Sequence, residues 1–283
     1  MLNHVYHSHE LSAGDYHAEK DHESSTSLKS ILITPAHYLH NKQQPKSDTE
    51  ALRIGTAIHA AILEPEVFDQ TYVVVPKFDR RTTQGKADYE AFTKEHTGKR
   101  ILMAEDRHFI EKLRISIMRS PEVYKLLALP GRNESSIFWT DDETGVKLKV
   151  RPDRLLTFNG SPVHISIKTA ACAGKESFRY DIEKYRYHFS EAMYAEGIAQ
   201  EFGEQPITIW LVFEKDTWQI AKYPPCERTM ALGHHEFRHA VHLLKKCRDM
   251  QEFLGYQKQD EFDEISLPER AFRRAEQAGI VLP

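Results

Sequence analysis

The chain has 283 residues, of which 40% are apolar and 28% charged, and its net charge is −4. This is an ordinary globular composition, long enough for one large domain or two small ones, and the acidic balance argues against a protein that coats nucleic acid non-specifically. No apolar run approaches the ~18–20 residues of a membrane helix and the start lacks an apolar signal core. The three cysteines (Cys172, Cys226, Cys247) are too scattered for a disulfide framework or metal cluster, which fits a reducing cytoplasm.

Residues 1–23 are polar, rich in histidine and without an apolar period, so they read as a flexible arm whose scattered histidines more often do nothing than capture a metal. Structure is expected from Ser24, with Ser25 or Thr26 capping a helix that turns Leu28, Ile31 and Leu32 inward. Pro35 opens a short turn through Tyr38 and Leu39, and residues 42–49 read as linker. A helix follows from about Thr49 to Leu63, stopped by Pro65, with Gly55 one turn before His59 so that a backbone or a ligand can approach there. Residues 71–75 read as a strand, and 84–97 and 105–127 as helices.

From residue 134 the period changes to two. Strands are expected at 135–140, 146–151, 153–158 and 163–168, with turns at Asp141-Asp142 to Gly145 and at Asn159-Gly160. A helix over 184–202, strands near 206–214 and 217–222, a long helix over 227–253 and a short one after Pro268 complete the chain. Strands between helices predict one α/β domain over 24–283.

Alternation in the strand Val163 to Lys168 sends Val163, Ile165 and Ile167 to one face and His164, Ser166 and Lys168 to the other. A hairpin through Asn159-Gly160 brings Asp153, just after Pro152, beside Ser166. Lys149 and Arg151 share a face of the preceding strand. A carboxylate with a lysine nearby suits phosphodiester hydrolysis: Mg²⁺ takes oxygen ligands and activates water, and a lysine at the edge orients that water or offsets charge on the phosphate. His59, from a helix over the sheet, would add a ligand. On these residues alone the alternative stays open that Asp153 caps a turn and Lys168 is a surface residue. Local basic patches at Arg80-Arg81 with Lys86, at Lys99-Arg100, and at Arg270 with Arg273-Arg274 read more readily as solvated faces than as phosphate contacts.

Several segments together resemble the RecB-like branch of the PD-(D/E)xK nuclease superfamily, and within it the nuclease domain of the RecE-type exonuclease (exonuclease VIII). They are Ser24 to Lys29 with Pro35 to Tyr38, Gly55 to His59 with Leu63-Glu64-Pro65, Lys149 to Asp153, Ile165 to Thr169, and Tyr185 to Tyr194, spanning about 24–222. The resemblance implies a mixed central β-sheet flanked by helices. It implies His59 and Asp153 as metal ligands, the Ile167 backbone carbonyl as a further ligand, Glu134 as an accessory acid and Lys168 as the catalytic lysine, with Mg²⁺ as cofactor and Mn²⁺ as substitute. It also implies a bacterial or phage-infected cytoplasm, duplex DNA ends degraded 5′→3′, a homo-oligomeric ring, and single strands handed to an annealing protein in phage or prophage recombination.

Two positions depart from the pattern. Ser166 stands where the acid of D-x-K is expected, and Ser190 replaces the glutamine of the helix motif that also holds Tyr187 and Tyr194. A serine hydroxyl cannot supply a carboxylate's charge. Glu191, on one helical stripe with Tyr187 and Tyr194, is the candidate compensating carboxylate, with Asp181 and Glu183 as others. The alternative to an active nuclease is an impaired or inactive relative that binds DNA ends or a recombination partner.

Overall fold

The computed structural model describes residues 4–6, 10–44, 50–257 and 262–281. Strand β1 (His4–Tyr6) and helix α1 (Ala13–Ala18) are followed by helices α2 (Ser25–Ile31), α3 (Pro35–Gln43), α4 (Glu50–Leu63) and α5 (Pro65–Thr71). Next come β2 (Tyr72–Val74), α6 (Thr83–Glu95), β3 (Arg100–Leu102), α7 (Ala104–Met118) and α8 (Pro121–Ala128). The strands β4 (Gly131–Asn133), β5 (Ser136–Thr140), β6 (Lys147–Val150), β7 (Arg154–Phe158) and β8 (Ser161–Ala170) then run in succession. The chain continues through α9 (Lys175–Lys184), α10 (Tyr187–Phe202), β9 (Ile207–Glu214), β10 (Ile220–Tyr223), α11 (Glu227–Met250) and α12 (Glu269–Gln277).

Local chemistry explains where the expected boundaries move. Ser24, not Ser25 or Thr26, caps α2: its hydroxyl takes the Ser27 amide while the Ser27 hydroxyl takes the Ser24 amide. Pro121 has no N–H and divides the helix expected over 105–127 into α7 and α8, and Pro65 opens α5 as well as ending α4. The expected linker begins later because α3 runs to Gln43, and residues 45–49, including the expected helix start at Thr49, lie outside the described residues. Strands β3 and β4, three residues each, are too short to show a period.

The central sheet has the order β10-β9-β8-β7-β4, with β8 and β9 parallel and the other neighbours antiparallel. A second sheet has the order β1-β5-β6, and β2 pairs with β3. This is the α/β arrangement of a mixed sheet flanked by helices, as in a PD-(D/E)xK-like nuclease core. Asn159 and Gly160 both have positive φ, 52° and 92°, as a two-residue hairpin turn demands. That turn sets Arg154 opposite Ile165, so Asp153 falls one step further on, opposite Ser166.

Each face of β8 has its own neighbours. Val163, Ile165 and Ile167 pack into a core with Ala57, Ile58 and Ala61 of α4 and Leu113 of α7. His164 and Ser166 turn the other way, onto α10. A further core joins α2, β5, β6, α10 and α11. There α11 approaches α10 so closely that a Cβ at Gly233 would lie 2.2 Å from the His188 carbonyl oxygen. Among the described residues nothing beyond its own helix lies within 4 Å of where a Cβ on Gly55 would be. Among the described residues no helix is long and apolar enough to cross a membrane.

The expectation of a loose arm over 1–23 needs correction for the described residues 4–6 and 10–23. β1 pairs antiparallel with β5, and Tyr16 of α1 is buried with its ring edge-on to Phe138. The reason lies in β6 and the residue after it. Lys149 is buried and its ammonium donates to the carbonyls of Tyr16 and Glu19, both at 2.6 Å, while Arg151 donates to the Leu11 carbonyl at 3.2 Å. Two buried cations need acceptors, and the N-terminal backbone supplies them. His7 and His9 lie outside the described residues, whereas His22 stands 3.1 Å from Glu19.

Candidate metal centre

Asp153 sits where the chain enters β7, its side chain held from the neighbouring strand: the Ile167 amide donates to Asp153 Oδ2 at 2.6 Å. Ile167, whose carbonyl is the further ligand that the resemblance implies, is thereby set beside Asp153. Glu134 links β4 to β5 and donates its amide to the Asp153 carbonyl at 3.0 Å. Its φ is +47°, a left-handed backbone that costs a glutamate about 1 kcal/mol and that surrounding bonds must hold. Arg151 Nε supplies one such bond, to Glu134 Oε2 at 3.1 Å. From α4, His59 Nδ1 reaches to 3.4 Å from both Glu134 Oε1 and Asp153 Oδ1.

His59, Glu134 and Asp153 form the one group among the described residues whose donor atoms lie close enough to hold a metal ion, all within 4.8 Å of one another. The fit is chemical as well as spatial. Neighbouring ligands of a small divalent ion, each ~2.1 Å from it, stand about 3 Å apart, and two carboxylates with one imidazole suit Mg²⁺ or Mn²⁺. Burial pulls the His59 pKa down, but Asp153 and Glu134 more than compensate and leave it above the ordinary histidine value. A cation bound there would replace the proton that this charge attracts.

Beside this group lies a second, buried cluster. Glu191 of α10 is fully buried, as are Ser166 and His164. Glu191 Oε1 accepts the Ser166 hydroxyl at 2.8 Å and the Trp210 indole N–H at 3.1 Å. Glu191 Oε2 stands 3.2 Å from His164 Nδ1, off the angle of a good hydrogen bond. Lys168 Nζ donates to Ser166 Oγ at 2.5 Å, lies 3.6 Å from Glu191 Oε1, and hangs 5.2 Å from the centre of the Tyr187 ring. Burial pushes the Glu191 carboxyl up, but Lys168, His164 and Ser166 outweigh it and hold it down at about 2, so the group stays charged.

The structure thus brings His59, Asp153 and Glu134 together and sets Ser166, Lys168 and Glu191 next to them. Glu191 is not part of the three-residue group, and Asp181 and Glu183 lie on α9, outside it as well. The stripe Tyr187, Glu191, Tyr194 does face one way: Tyr187 meets Lys168, and the Tyr194 ring stands 5.2 Å from that of His164. Ser190 is buried. Two neighbours of the cluster escaped sequence reasoning. Trp210 is opposite Ser166 in the parallel β8–β9 pairing. Lys29 of α2 donates to the Tyr185 carbonyl at 2.9 Å, and burial, with Lys168 second, depresses its ammonium to about 8. The basic patches remain at the surface: Arg81 is 92% exposed and paired with Asp79, while Arg80 stacks over Tyr89.

A mixed sheet carrying such a group beside a strand lysine defines a nuclease-like fold of the PD-(D/E)xK class with a candidate metal-binding triad. The chain belongs to the family described as a PDDEXK-like domain of unknown function (DUF3799), which it matches over residues 24–259. Among solved structures, a candidate exonuclease from Eubacterium rectale is 15% identical and superposes with a TM-score of 0.58, over 93% of this chain and 97% of that one. At that identity the likeness is one of fold. The structure of SSO0001, also 15% identical, covers 74% of this chain and 89% of its own with a TM-score of 0.31, too low to carry an argument. No curated protein matches the chain.

Proposed function

We propose that the chain is a metal-dependent deoxyribonuclease, a 5′→3′ exonuclease on duplex DNA ends of the RecE type, acting in phage or prophage recombination in the cytoplasm. The observation that carries this is the convergence of His59, Glu134 and Asp153 next to the strand that presents Lys168. His59 Nδ1, Asp153 Oδ1 and Glu134 Oε1 would hold Mg²⁺ or Mn²⁺, with the Ile167 carbonyl beside them. When bound, the ion supplies charge compensation for the phosphate oxygens and a lowered pKa for water. Lys168 keeps its ammonium at the rim, where it orients the attacking water or donates to a phosphate oxygen as charge builds. Glu134 supplies the second negative charge that Ser166 does not.

The partners belong to the same reading: duplex ends, a ring of identical subunits, and an annealing protein that receives the single strand. A ring suits a chain of net charge −4 if basic residues line its hole. The experiment is digestion of a linear, end-labelled duplex with Mg²⁺, with Mn²⁺ and with chelator. Loss of label in short products, dependent on metal, is expected. An intact duplex with either metal would overturn the reading. A second reading is favoured by the neutral Ser166 opposite Asp153: a nuclease-fold protein that holds DNA ends without cutting them, for which end binding would survive chelation.

A further inference from the structure

Within the nuclease reading, on which this rests, the geometry points to Glu191 as a positioning residue. Through Ser166 it anchors Lys168, and the 166/191 pair is built for one hydroxyl and one carboxylate, so that Glu191 stands in for the expected strand acid as the lysine's partner and not as a metal ligand.

The hydrogen-bond arithmetic is restrictive. Ser166 Oγ has one hydrogen and two acceptor sites. Lys168 has only hydrogens to give and takes one acceptor site at 2.5 Å, so the serine's own hydrogen is left for Glu191 Oε1 at 2.8 Å. The Trp210 indole, which can only donate, gives a second hydrogen to the same oxygen. The other oxygen faces His164, and the side chain has no exposed surface. A cation entering at Glu191 would have to displace these neighbours in a buried site, whereas the donor atoms of His59, Glu134 and Asp153 converge without it.

The same arithmetic makes the serine a requirement. An aspartate at 166 would bring no hydrogen to Glu191 and would set two buried carboxylates face to face. Alanine would leave Lys168 and Glu191 without their bridge. Glutamine at 191 would keep the hydrogen bond to Ser166 but lose the charge that attracts the ammonium. With aspartate at 166 and glutamine at 191, one carboxylate remains and Lys168 again has an acceptor, while the glutamine amide donates to that carboxylate only by giving up the oxygen that took the Trp210 hydrogen.

The test compares the wild type with E191Q, S166D and the double variant S166D/E191Q in three measurements: titration with Mn²⁺ alone, kcat and KM on a linear duplex, and the midpoint of thermal unfolding. In E191Q, kcat should fall about 100-fold, the scale of a misplaced catalytic group, while KM and Mn²⁺ affinity stay within about twofold. S166D should lose activity and melt roughly 5 °C lower, and the double variant should recover at least about tenfold in kcat over S166D and part of the melting point. Loss of Mn²⁺ binding in E191Q would make Glu191 a ligand and overturn the assignment. So would unchanged kcat in E191Q, or an S166D as active as the wild type. If the wild type itself digests no DNA, the nuclease reading fails, but the anchoring is still decided by unfolding. K168M and E191Q should then be non-additive in melting point, and additive shifts would refute it.

Discussion

The buried Glu191 is one of the carboxyls through which folding ties the protein's stability to pH, and Glu191→Gln is the perturbation that isolates its share. The folded chain holds this group at about 2 against an ordinary 4.5, because Lys168, His164 and Ser166 outweigh burial. A carboxyl depressed by folding stabilises the fold above its unfolded pKa and loses that contribution as pH falls toward its folded one. The difference corresponds to roughly 3 kcal/mol, complete above pH ~5, about half gone near pH 3.3 and spent near pH 2. The assay is urea unfolding of wild type and E191Q at pH 7, 5, 4 and 3, followed by fluorescence. The stability gap between the two proteins is expected to be constant from pH 7 to 5 and to narrow by more than 1 kcal/mol on going to pH 3. A gap that stays constant throughout would show that Glu191 is not held as a charged, partnered carboxylate.

Other residues give sharper yes-or-no outcomes. Lys168→Ala should lower metal-dependent digestion by about 100- to 1,000-fold while leaving binding to duplex ends in chelator intact; undiminished digestion would remove Lys168 from the chemistry. His59→Ala and Asp153→Asn should each weaken Mn²⁺ binding at least about tenfold in direct titration, and equal affinity in both would empty the triad of its meaning. Gly233→Ala, whose methyl would strike the His188 carbonyl, should destabilise the chain by about 1–3 kcal/mol, read as a lower urea midpoint. Lys149→Met removes the donor to the Tyr16 and Glu19 carbonyls and should expose residues 10–23 to limited proteolysis, seen by mass spectrometry as new cleavage there.

What was legible in the sequence was what short-range geometry decides. Asn159-Gly160 announces a hairpin, the hairpin sets a register, and the register places Asp153 opposite Ser166 with Lys168 on the same face. Period alone separated the residues of β8 that enter the α4 core from those that face α10. The buried environment of Glu191 followed only in part: its stripe with Tyr187 and Tyr194 was visible, but its bond to Trp210 depends on the parallel pairing of β8 with β9, between which α9 and α10 intervene. Residues 10–23 misled because part of their attachment runs through backbone carbonyls, which every residue carries and no composition reveals, and because their buried side chains, Tyr16 and Glu23, are too few to make a period.

Glu134 shows why the hardest part to read is also the part that changes the chemistry. Its side chain reaches the His59–Asp153 pair because its backbone takes a left-handed turn between β4 and β5 and its amide bonds the Asp153 carbonyl. None of this has a sequence pattern: glutamate is an ordinary choice in a loop, and a positive φ is an unusual one for it. A residue held in such a conformation needs compensation from its surroundings, and Arg151 and Asp153 supply it. With Glu134 in place, two carboxylates face His59 even though strand position 166 carries a hydroxyl. A site that is one acid short when read along β8 therefore has its second carboxylate from the loop before β5, which leaves Glu191 free to serve the lysine.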